Sequence, residues 1–190
     1  MTINLLDDPT VPRSRVGLTR VAANPLTASP VPSRETPGVP AIDTVNFYRV
    51  GEAFGEFSNF AAFPITLGSQ RWPTTEHYSQ AQKFEDEAYR AKIRAANSPT
   101  IAARLGRSRK QTLRRDWEAV KVGVMRDAVT AKFTQHDDLR ALLLSTGDAK
   151  LVEHTENDDY WGDGGDGSGQ NMLGRVLMQV RDQLLRAVPK

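Results

Sequence analysis

The sequence contains no cysteine, which excludes thiol nucleophiles, disulfides and thiolate metal sites together and suits a reducing compartment. It also lacks any stretch near the roughly 20 apolar residues of a bilayer span, and its N-terminus has no apolar core of a secretory signal. No membrane association and a cytoplasmic location are therefore expected. Histidines number only three, and nothing shows the ligand spacing of H-E-x-x-H or Cys/His sites, so neither a metal nor another cofactor is expected. A large excess of one charge is missing as well, with 25 Lys and Arg against 23 Asp and Glu. The pI near 9.0 does not by itself imply nucleic-acid binding, but it is compatible with anionic ligands, phosphorylated ones included.

Proline is scarce except at one end: residues 1–40 hold seven of the eleven, with arginine, serine and threonine scattered among them. This is the composition of a disordered tail. Asp7 and Asp8 fit an organelle transit peptide poorly. Residues 1–44 are thus read as a Pro-rich N-terminal tail and residues 45–188 as one folded domain, which a chain of 190 residues can supply with a sizeable core. Within it "VNFYRV" predicts a short strand, and "FPITLGSQRWP" predicts two strands turning at Leu67-Gly68-Ser69. Helical signals follow over 76–96, after Ser98-Pro99, from Asp116, after His136 and from about Asn171, with "LVEHTE" as one more strand. Ser98 and Asp116 have side chains that can accept backbone N–H bonds as N-caps. Strands and helices do not alternate regularly, so the expected class is α+β, a mostly helical single domain with a small antiparallel sheet opening it.

Three segments carry candidate chemistry. In "RWPTTEHYSQAQKF", Glu76 lies in the first turn of a helix capped by Thr74, but the third helical position falls on His77, so a capping box does not account for the glutamate. The helix dipole is expected to lower its pKa and favour the carboxylate, and Gln80, four residues on, can hydrogen-bond it. In "EHTENDDYWGDGGDGSGQN" five glycines imply unusual backbone angles or close approach. An EF-hand does not fit, and the G-x-G-x-x-G spacing of Gly162, Gly164 and Gly167 is a weak dinucleotide signal because Asp163 and Asp166 would repel a pyrophosphate. Trp161, flanked by Tyr160 and Gly162, suits stacking on a planar base, whereas Trp117 shares a helical face with Val120, Val124, Ala128 and Ala131 and reads as core on pattern alone. In "ARLGRSRKQTLRRDW" six basic side chains precede any acid, which is either a solvated surface or a phosphate-binding patch.

Together, "FSNFAAFPI", "WPTTEHYSQAQKF", "SPTIAARLGR", "DWEAVKVGVMRDAVTAKF", "LVEHTENDDYWGDGG" and "GQNMLGRVLMQVR" closely resemble the YbiA-like proteins of the NADAR family over about Asn46 to Leu185. The resemblance implies a YbiA-like fold and hydrolysis of N-glycosidic bonds, and for the YbiA type it implies early phosphorylated riboflavin-pathway intermediates, aminouracil ribosyl phosphates, cleaved to ribose 5-phosphate and a free base. Other family members remove ADP-ribose from guanine in DNA, and a third reading is a non-catalytic ADP-ribose-binding module. On the matching motifs Glu76, Trp117, Asp158 and Trp161 are the implied catalytic positions, with Asp159 able to take the place of Asp158. Asn59, Tyr78, Arg107, Asp159, Asp163 and Asn171 are the expected substrate-binding positions. The implied partner is a small phosphorylated ribosyl molecule, or ADP-ribosylated DNA under the alternative. The oligomeric state is not legible.

Overall fold

The computed structural model describes residues 43–187. All but the last two residues of the proposed tail, and Val188 at the expected end of the domain, lie outside them. Strand β1 spans Thr44–Phe47. A hairpin follows, with β2 at Ile65–Leu67 and β3 at Gln70–Trp72. Its turn places Gly68 and Ser69 at φ 58° and 62°, the left-handed pair that matches strand twist in a two-residue hairpin. Helices are α1 (Thr75–Ala81), α2 (Glu87–Arg94), α3 (Pro99–Gly106), α4 (Trp117–Gln135), α5 (Asp137–Ser145) and α6 (Met172–Arg186), with β4 (Lys150–Glu153) between the last two.

The α+β class holds, with one difference in strand pairing. Strands β2 and β3 pair antiparallel, whereas β1 pairs in parallel with β4, Thr44 opposite Lys150 and Phe47 opposite Glu153. The expected helix over 76–96 is two helices, because Asp86 caps α2 by accepting from Ala88 N–H at 2.9 Å and Tyr89 N–H at 3.2 Å. A side chain that satisfies two orphan donors starts a new helix more favourably than it continues an old one. Ser98 caps α3 as expected, accepting from Ile101 N–H at 3.2 Å. Asp116 precedes α4 but makes no capping bond. Its carboxylate instead takes the Arg114 guanidinium in a two-point pair at 2.6 and 2.9 Å.

Two apolar clusters hold these elements. One joins β1 and β4 to α4, α5 and α6 through residues such as Phe47, Phe133, Leu151 and Leu177. The other joins the hairpin to α1, α2 and α3 through Ile65, Trp72, Phe84 and Ile93, with Ala128 and Ala131 lending one face of α4 to it. Each fully buried side chain of this size contributes about 1.5–3 kcal/mol. Helix α4 therefore separates and supports both halves, and a cavity opens where α1, α3, α4 and the chain after β4 converge. Buried Lys132 on α4 fixes a further wall: its Nζ donates to the carbonyls of Glu56 and, at 3.0 Å, Ser58, pinning the segment that carries Asn59. Among the described residues no helix is long and apolar enough to cross a membrane.

Candidate active site

The cavity encloses about 510 Å³, in the range of small-molecule sites. Helix α1 and the turn after it deliver one wall: Glu76, Ser79 and Gln80 on the helix and Lys83 just past its C-cap all line it, at spacings of i, i+3, i+4 and i+7. Thr74 sets the start of this helix. Its hydroxyl oxygen accepts from His77 N–H at 3.3 Å and stands 2.8 Å from His77 Nδ1, while His77 Nε2 lies 3.1 Å from the Ala96 carbonyl. Nε2 must donate to that carbonyl, so Nδ1 accepts from Thr74, and burial keeps the imidazole below its usual pKa. His77 is thus a neutral structural residue.

Glu76 is buried, with 6% of its surface exposed. Its N–H donates to the Asn59 carbonyl at 3.2 Å, and Gln80 Nε2 donates to its Oε1 at 2.8 Å. The expectation of a lowered pKa is reversed here. Burial pushes the carboxyl above its ordinary value, and nearby Asp158 adds to this, against the Gln80 bond and the charges of Lys83 and Arg107. A one-sided desolvation outweighs the dipole of a helix only seven residues long. Lys83 is held below the usual lysine range by burial, with Arg107 and Lys121 acting in the same direction and Glu76 and Glu118 opposing.

Across the cavity stand the two tryptophans. Trp117 begins α4 and is 8% exposed, yet it belongs to the cavity wall rather than to either apolar cluster, with Lys83 Nζ 5.6 Å from its ring centre. Trp161 is placed by Asp158, whose Oδ1 accepts from Tyr160 N–H at 2.9 Å and Trp161 N–H at 2.7 Å. Its ring meets Tyr160 edge-on at 5.2 Å and packs against the larger core cluster. Lys121 Nζ sits 3.6 Å from the Tyr160 ring centre at the same wall.

Of the sequence-derived positions, Glu76, Trp117, Asp158, Trp161, Asn59 and Arg107 line the cavity together. Four do not. Tyr78 turns away to stack edge-on with Trp72 at 5.3 Å. Asp159 is exposed, and its carbonyl accepts from Gln170 N–H at 2.7 Å. Asp163 is buried under the glycine-rich loop, accepting from Thr155 N–H and Gly165 N–H at 3.0 Å each and lying 2.8 Å from His154 Nδ1. Asn171 ties the start of α6 to β4, donating to the Leu151 carbonyl at 2.8 Å and accepting from Glu153 N–H at 3.0 Å. Asp163 and Asn171 therefore shape the site from behind, and these four stand outside the wall of the cavity that holds Glu76.

The basic run contributes only Arg107, while Lys83, Lys121 and Glu153 are cavity residues that sequence reasoning did not single out. For Lys83 the signal was available in its helical spacing from Glu76. Glu153 closes β4 with its side chain on the cavity, and burial, followed by Asp158, Glu76 and Asp163, pushes its pKa up to about 8.

The NADAR domain model matches residues 46–185. The chain belongs to the NADAR family. Over 140 residues it is 61% identical to "N-glycosidase YbiA" of Escherichia coli (strain K12), covering 74% of this chain and 88% of that protein. The NMR structure of E. coli YbiA superposes with a TM-score of 0.72 at 60% identity, covering 76% of this chain and 87% of that one. A "Riboflavin biosynthesis protein VVA0006" of Vibrio vulnificus is 45% identical over 145 residues, 76% of this chain but 40% of that protein. This NADAR protein is accordingly an enzyme of the N-glycosidase class, a hydrolase of N-glycosyl bonds, and its α+β fold is that of the YbiA structure.

Proposed function

We propose that this N-glycosidase hydrolyses the C1′–N bond of early phosphorylated riboflavin-pathway intermediates, aminouracil ribosyl phosphates, in the cytoplasm, releasing ribose 5-phosphate. The observation that carries the reading is the buried Glu76 carboxyl facing a cavity that also holds two indoles and the cations Lys83, Arg107 and Lys121. Cleavage of a ribosyl C–N bond builds positive charge on the sugar, and a fixed carboxylate in a water-poor site stabilises that charge and takes a proton from the attacking water. Trp117 and Trp161 supply flat faces for the planar base. The cations match a phosphate. The family relative named for riboflavin biosynthesis supports the substrate class.

The folded domain and its N-terminal tail are part of this proposal, with the chemistry confined to the domain. Hydrolysis of ADP-ribosyl-guanine would use the same carboxylate and draw on the exposed arginines around Arg107. The two readings separate in one assay, in which the enzyme is given freshly made aminouracil ribosyl phosphate and, in parallel, DNA carrying ADP-ribosyl-guanine. Release of ribose 5-phosphate above the uncatalysed rate is expected from the first. Turnover of the modified DNA alone would move the enzyme to the second reading, and binding of ADP-ribose without turnover of either would leave a recognition module.

A further inference from the structure

Glu153 is one of four carboxyls on the cavity wall, with Glu76, Glu118 and Asp158. Its backbone is fixed from two sides: the N–H donates to Asn171 Oδ1 at 3.0 Å, and the carbonyl accepts from Asp163 N–H at 3.0 Å. Parallel pairing with Phe47 in β1 fixes it from a third. Among the described residues its carboxyl has no hydrogen-bond or ion-pair partner. Asp158 is differently employed, because one of its oxygens is committed to the N–H groups of Tyr160 and Trp161.

We propose, resting on the N-glycosidase reading above, that Glu153 is the acid that protonates the departing nitrogen. Cleavage of a C–N bond leaves an electron pair on nitrogen, and a poor leaving group departs faster when a nearby acid supplies a proton in the transition state. Such an acid must hold its proton at working pH and must be free to give it up. Glu153 meets both conditions, since burial and the negative charge of Asp158, Glu76 and Asp163 raise its pKa to about 8. The cations Lys83, Arg107 and Lys121 face the same cavity, as do Glu118 and the phenols of Tyr48 and Tyr160, so ionisation in the cavity is a property of the set.

The step balances with one water. As the C1′–N bond breaks, its electron pair stays on nitrogen, which takes the Glu153 proton. Water oxygen forms the new bond to C1′ and loses a proton to Glu76, whose carboxylate form the Gln80 bond and the charges of Lys83 and Arg107 favour against burial; from there the proton passes to solvent, while solvent reprotonates Glu153. The products are the free base with one new N–H and ribose 5-phosphate with a C1′ hydroxyl.

The test compares wild type with Glu153→Gln from pH 5 to pH 10 on fresh aminouracil ribosyl phosphate, with the uncatalysed rate subtracted. Wild-type kcat should fall above about pH 8. Glu153→Gln should lose roughly 100-fold in kcat, with a small change in KM and no alkaline limb. Glu153→Asp, which keeps an acid one carbon shorter, should retain the limb at reduced kcat, and it carries the test if the amide variant does not fold. Retention of both kcat and the alkaline limb in Glu153→Gln, while wild type turns over, would overturn the role of Glu153 alone. An inactive wild type would instead overturn the substrate reading on which it rests.

Discussion

The two walls of the cavity are built in opposite ways. On one side, α1 displays Glu76, Ser79 and Gln80 along a single face, with ordinary helical hydrogen bonds setting their spacing and Lys83 following in the turn after the helix. On the other, residues 154–171 have almost no regular structure, and side chains bond to backbone instead: Asp158 to Tyr160 and Trp161, Asp163 to Thr155 and Gly165, Asn171 to Leu151 and Glu153. Close approach completes this wall, since a Cβ on Gly162 would lie 2.6 Å from Thr155 Cγ2. A helix sets its reactive group by periodicity and burial, so one substitution on its face perturbs chemistry more than folding. A loop set by individual polar bonds loses shape when any one of them is removed.

The largest effect that breaks this comparison is expected on the loop side. Asp163→Ala leaves the Thr155 and Gly165 N–H groups without their acceptor, at a cost of about 2–4 kcal/mol. Urea unfolding should show that loss, and kcat/KM should fall with it because Trp161 and Asp158 lose their support. Trp161→Ala, which keeps the loop's backbone bonds, should weaken substrate binding by about 1–3 kcal/mol. That loss should be read in KM, beside a lower melting temperature from the packing lost against the larger cluster.

On the helix side, Gly106 is the contact to disturb. A Cβ there would stand 1.9 Å from Gln80 Oε1, so Gly106→Ala must displace the side chain that donates to Glu76. Losing a bond to a charged group is worth about 1.5–3 kcal/mol, and kcat should fall roughly tenfold or more. The Gln80 bond favours the carboxylate, so its loss should also move the acidic limb of the pH–rate profile upward. An unchanged limb would mean that Gln80 does not tune Glu76.

The smallest effect is one of pH on stability. Folding raises Glu153 from 4.5 to about 8, so the folded state holds that proton more tightly than the unfolded chain. Its contribution is fully present below about pH 4.5 and is lost as pH rises through about 8. Lys132, lowered by burial to about 7, acts with opposite sign only at higher pH, where the unfolded chain holds the extra proton. Between pH 5 and pH 7 the melting temperature of wild type should therefore decline more steeply than that of Glu153→Gln.

What was legible in the sequence follows the same division. The hairpin turn, the Thr74 and Ser98 caps, Glu76 and its bond to Gln80 are all local chemistry, readable within a few residues. The parallel pairing of β1 with β4 joins segments more than a hundred residues apart, and no periodicity announces it. Glu153 owes its importance to that pairing and to the charges it meets in the cavity. The break between α1 and α2 was missed because Asp86 sits among other acids in "EDE", where its capping role does not stand out. Trp117 shows why pattern alone misleads: it begins a helix whose inner face is core from Met125 onward, yet it lies ahead of that core and faces the cavity.

The most direct test of the account is turnover of fresh aminouracil ribosyl phosphate by wild type and by Glu76→Gln, with the fold of each checked by thermal unfolding. Wild type should release ribose 5-phosphate, and the variant should lose roughly 10²–10⁴-fold in kcat while unfolding at no lower a temperature, because a buried carboxyl gives way to a neutral amide of the same shape. A folded variant that releases ribose 5-phosphate at the wild-type rate would contradict the claim that this carboxyl carries the reaction.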